Sequence, residues 1–92
     1  LVEKTAKINS ENGIHLRPGL DVVDMADNYE SDITITSPLG VANAKSIMQV
    51  TILCLAKGAE VTIKADGTDE QEAVDAMVKI LESDFERESV KE

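Results

Sequence analysis

The residue pattern predicts an α+β domain in two layers, a four-stranded antiparallel sheet covered on one face by three helices, in the order βαββαβα. Four short segments alternate apolar with polar residues, as strands do when one face is wet. Three other segments repeat apolar residues every three or four positions, as helices do when they lie on an oily surface. Gly, Pro, Ser, Asn and Asp cluster at the joints between them.

Residues 4–9 read as the first strand, with Ala6 and Ile8 on one face and Lys7 on the other. Residues 10–13 are turn formers. Helical spacing then links Leu16, Leu20, Val23 and Ala26, flanked by Val22 and Met25, with Asp21, Asp24 and Asp27 on the wet side. Asn28 and Tyr29 close this helix. Residues 32–36 alternate and are rich in β-branched side chains, which predicts a strand. Ser37-Pro38-Leu39-Gly40 turns the chain into a short return strand at 41–43. Ser46 with Gln49 matches a capping box, and Ile47, Val50, Cys54 and Leu55 mark a short helix stopped by Lys57-Gly58. Residues 61–65 form the fourth strand, and Asp66-Gly67 the turn after it. Thr68 with Gln71 matches a second capping box. It opens the longest helix, whose apolar stripe is Ala73, Val74, Met77, Val78, Leu81 and Phe85.

Composition sets limits. The 92 residues suit one domain, 1–92, ending in a charged tail at 86–92. With 42% hydrophobic but only 2% aromatic residues, the core has to be aliphatic. The net charge of −9 argues against nucleic acid and against anionic membranes as partners, since both require a basic surface. From Asp66 onward there are ten acids and three bases, read as a solubilising face. A single cysteine, Cys54, permits no internal disulfide and no cysteine-based metal site. The three aspartates at 21, 24 and 27 read as a solvated helix flank, so no metal is expected. No segment has the length and apolarity of a membrane span, and a cytoplasmic monomer is the simplest expectation.

The candidate chemistry sits at Gly13-Ile14-His15-Leu16-Arg17-Pro18-Gly19. Proline fits the first turn of a helix, where its missing N–H is not needed. His15, the sole histidine, therefore falls at the N-cap, ahead of the free amides of Leu16 and Arg17. Those amides and the helix dipole favour an anion, and Arg17 adds a permanent positive charge. An imidazole has an ordinary pKa of about 6.5, so it is a nucleophile near neutrality. A nucleophile beside a phosphate-sized anion site suggests a histidine that carries a phosphoryl group.

Two separate motifs resemble the HPr family, the phosphocarriers of the bacterial sugar phosphotransferase system. One is the heptapeptide around His15. The other is Asn43-Ala44-Lys45-Ser46-Ile47-Met48, and Gly67-Thr68-Asp69-Glu70 before the last helix adds to them. The likeness runs in order over about residues 3–85. It implies the open-faced β-sandwich fold and a role as phosphohistidine carrier in a transferase relay, without a cofactor. His15 would take the phosphoryl group at Nδ1 from phospho-Enzyme I, assisted by Arg17, and pass it to EIIA-type permease components. The resemblance also implies regulatory phosphorylation at Ser46 by an HPr kinase/phosphorylase, contact with a transcriptional regulator, and partner docking through Leu16, Leu20, Ile47, Met48 and Thr51. Asp24, Asp27 and Gln49 stand where members of the family often carry lysine. Gly19 replaces a more usual alanine-like residue and is expected to loosen the first turn by roughly 0.5–1 kcal/mol. The alternative is a regulatory HPr-like paralogue that acts by protein docking rather than in sugar transport. A mimic of nucleic acid has only the negative charge in its favour.

Overall fold

Alternation along the strands yields one sheet with one dry face. The computed structural model describes residues 1–9, 16–53 and 56–83, with residues 16–18 described by backbone alone. Along the chain come β1 (Val2–Lys7), α1 (Leu16–Asp27), β2 (Asp32–Ser37), β3 (Gly40–Asn43), α2 (Ile47–Ile52), β4 (Glu60–Asp66) and α3 (Glu70–Leu81). The strands form one antiparallel sheet in the order β1-β4-β2-β3. Thr5, Thr62 and Thr36 stand in register on the face away from the helices. On the other face Ile33, Ile35 and Ile63 are at most 1% exposed. Burying each such side chain contributes roughly 1.5–3 kcal/mol.

The elements match the expected order, with boundaries displaced for visible reasons. β1 ends at Lys7, yet Ile8 remains fully buried and bonded. Its N–H donates to the Ala59 carbonyl at 2.9 Å, and its carbonyl accepts from the Gly58 N–H at 2.7 Å. The core face of α1 is turned from the predicted stripe. Val22 and Ala26 are fully buried and Val23 nearly so, while Leu20 is exposed. The stripe of α3 is as read at Ala73, Val74, Met77 and Leu81, with Val78 half-buried. Phe85, Cys54 and Leu55 lie outside the described residues.

The second capping box does not form. The N-cap of α3 is Asp69, and its carboxylate makes no cap bond. Instead it accepts from the backbone N–H groups of Glu30 (2.9 Å) and Ser31 (3.0 Å) and from the Ser31 hydroxyl. This clasp joins the approach to β2 with the start of α3 and satisfies buried Ser31. Those three donors, the Ser31 hydroxyl foremost, hold the Asp69 carboxyl below the usual aspartate range. Gly67 completes the clasp. A Cβ there would stand 2.6 Å from both the Cα and the Oγ of Ser31, so only glycine lets the two backbones approach.

Candidate functional site

The first turn of α1 is seated on α2. Gly19 is buried at this seam, and a Cβ on it would lie 3.1 Å from the Ile47 Cδ1 and 3.3 Å from the Thr51 Cγ2. The glycine expected to loosen the first turn is thus also a close-contact residue. Its position follows from helix geometry: Gly19, Val22, Val23 and Ala26 share one face, and that face is buried.

α1 starts at Leu16, with Pro18 as its third residue, so the proline lies in the first turn. The leading amides of a helix have no acceptor within it. Leu16 and Arg17 occupy those positions. His15 lies outside the described residues, as do the side chains of Leu16, Arg17 and Pro18.

Ser46 caps α2. Its backbone is extended (φ −113°, ψ 110°) and its hydroxyl oxygen accepts from the Gln49 N–H at 3.3 Å. The reciprocal half of the capping box is absent. Gln49 Oε1 accepts instead from the Asn43 N–H at 2.8 Å, and the Ser46 N–H donates to the Asn43 carbonyl at 3.0 Å. The neighbouring motif residues have their own partners. Asn43 Oδ1 accepts from the Lys45 N–H, Ala44 is fully buried, and the Lys45 ammonium donates to the Tyr29 carbonyl at 2.7 Å just past α1. A cation there also suits the negative end of the α1 dipole.

The proposed docking residues divide into two kinds. Leu20 is 47% exposed and Met48 69%. Ile47 is half-buried and packs against the core, and Thr51 is half-buried with its hydroxyl donating to the Ile47 carbonyl at 2.9 Å. Ile52, 72% exposed, was missed by the sequence reading. The signal was present, because Ile52 follows Met48 by four positions and so shares its helix face. Asp21, Asp24 and Asp27 are exposed, and no group of acids, histidine or cysteine suited to a metal occurs among the described residues.

Comparison with known proteins agrees with this geometry. The family model described as the PTS HPr component phosphorylation site matches residues 2–83. The phosphocarrier protein HPr of Vibrio cholerae serotype O1 is 40% identical over 82 residues, covering 89% of this chain and 96% of that protein. The crystal structure of HPr-C-His from Thermoanaerobacter tengcongensis superposes with a TM-score of 0.83 at 34% identity, over 88% of this chain and 91% of that one. A crystal structure of an HPr dimer from the same organism gives 0.68 at 33% identity, over 96% and 97% of the two chains. The open-faced arrangement of sheet and helices is thus shared along nearly the full length of those proteins. Both motifs fall within the matched span, and the chain belongs to the HPr family, the phosphocarriers of the phosphotransferase system.

Proposed function

We propose that His15 is the residue on which this chain carries its phosphoryl group. The observation that carries the proposal is the start of α1 at Leu16, the residue after His15, with Pro18 inside the first turn. The family relays phosphoryl groups between partners such as Enzyme I and EIIA-type components. In this reading the unprotonated Nδ1 of His15 attacks the phosphorus of the donor's phosphohistidine. The donor's N–P bond breaks as the new one forms, and the electron pair returns to the donor imidazole. The amides of Leu16 and Arg17 and the Arg17 guanidinium neutralise the transferred group, so catalysis is mainly positioning and charge compensation. Leu16, Leu20, Ile47, Met48 and Thr51 make up the docking surface, to which Ile52 is added.

Ser46 is the regulatory position in this reading. A phosphate placed there by an HPr kinase/phosphorylase would meet the start of α2, where its charge is tolerated. It would also sit two residues from exposed Met48, within reach of any partner on that face, including a transcriptional regulator. The chain works as a single-domain monomer in the cytoplasm, and among the described residues no helix is long and apolar enough to cross a membrane.

The test is labelling with phosphoenolpyruvate and the Enzyme I of the same organism. Acid-labile label on the wild type and none on a folded His15→Ala variant is the expected result. A folded wild type that takes no label from an active donor would remove the carrier reading and leave the docking paralogue.

A further inference from the structure

The surface beside the α1–α2 seam has an apolar part and an acidic part, and they adjoin. Gly19, Ile47 and Thr51 meet in the seam. Leu20, Met48 and Ile52 each follow one of those residues and are exposed beside it, 47%, 69% and 72% respectively. Along α1, Leu20, Asp24 and Asp27 stand at i, i+4 and i+7, one stripe of the helix. The apolar face therefore runs into carboxylates. Among the described residues, no ion pair or hydrogen bond engages the carboxylate of Asp21, Asp24 or Asp27. Lys45, in the Ser46 motif, has its ammonium on the Tyr29 carbonyl. Asp21 and Asp24 also edge a groove between α1 and α3 whose lining includes Met25, Tyr29, Ile80 and Lys79, the last forming no ion pair with either aspartate.

We propose that this face docks a phosphotransfer partner whose contact surface is basic around an apolar centre, with Asp24 and Asp27 selecting it. The proposal rests on the reading of His15 as carrier and adds the charge of the partner. Charge complementarity decides the occupant. An apolar centre with a charged rim is the usual anatomy of a transient interface, and rim charges set on-rate and partner choice. Screening reaches about 8 Å at physiological ionic strength, so the carboxylates that matter are those at the contact, not the excess over the rest of the chain. A partner bringing aspartate or glutamate to this stripe would face two like charges that no ion pair engages among the described residues. One bringing lysine or arginine finds two carboxylates that are in no ion pair among the described residues, with Lys79 across the groove from Asp24.

The experiment measures the rate of phosphoryl transfer from the same organism's phospho-Enzyme I at rising salt, for three proteins. These are the wild type, Asp24→Lys with Asp27→Lys, and a control of equal charge change, Glu3→Lys with Glu72→Lys. The control residues are exposed on the sheet and on α3. All four sites are exposed, and melting curves check that each variant folds. The wild type is expected to slow on the order of tenfold from low to high salt. The α1 variant should be slower by a similar factor at low salt and converge with the wild type at high salt, while the control keeps most of the wild-type slope. A wild-type rate that is flat or rises with salt, an α1 variant as fast as the wild type, or a control that loses the slope equally would each overturn the proposal. Those results leave labelling of His15 intact and so spare the carrier reading. A folded wild type unlabelled at every salt concentration would remove both.

Discussion

The clasp at Asp69 shows how one side chain can have a different task from the one its position suggests. Asp69 precedes a helix and belongs to a residue type that caps helices, and the sequence reading placed the cap one residue earlier, at Thr68. Neither caps through its side chain. The carboxylate turns to Glu30 and Ser31, 39 and 38 residues away in sequence, and local pattern contains no sign of that choice. Because folding lowers the Asp69 pKa, the carboxylate's stabilisation is complete above the ordinary aspartate value of about 3.9 and is lost as pH falls through the depressed folded value. Asp69→Asn should therefore melt below the wild type at pH 7, and the difference should narrow in acid below that range. Thermal melts across pH check this, and a gap of constant width would refute it. His15 presents the opposite case. Its candidacy was legible in seven consecutive residues, because proline restricts where a helix can begin.

Among the elements, periodicity located all four strands and all three helices, and packing decided what it left open. Apolar spacing in α1 fits more than one stripe. The seam with α2 selects the one through Gly19, Val22, Val23 and Ala26, and so turns Leu20 outward. Sequence alone does not say which helix lies across a glycine, so the close contact at Gly19 emerges only from the packing. The seam gives a graded expectation. Gly19→Ala gains roughly 0.5–1 kcal/mol of helix propensity but has to move the terminal methyls of Ile47 and Thr51 by a few tenths of an ångström, so it should be close to neutral. Gly19→Leu has no such space. Overpacking of this kind costs about 1–3 kcal/mol, and the melting temperature should fall by several degrees. Denaturation of the two variants side by side checks the order.

For the molecule as a whole, the fold class, the aliphatic core and the single wet sheet face followed from composition and alternation. The strand order did not, because antiparallel strands with similar patterns can neighbour one another in several ways. Charge also acts at this scale. A net charge of −9 on 92 residues repels itself, and the described ion pairs, such as Lys4 with Asp75 at the sheet edge, lie on the surface. Moderate sodium chloride should therefore raise the melting temperature near neutral pH. A melting temperature that falls with salt would mean that surface pairs outweigh the repulsion.

The order β1-β4-β2-β3 also bears on synthesis. β4 lies between β1 and β2, so β1 has no strand to pair with until residues 60–66 have been made. The early β2–β3 hairpin can close by itself, but an amino-terminal fragment lacking β4 has nothing to hold its leading strand. The sheet therefore closes only once β4 has joined it.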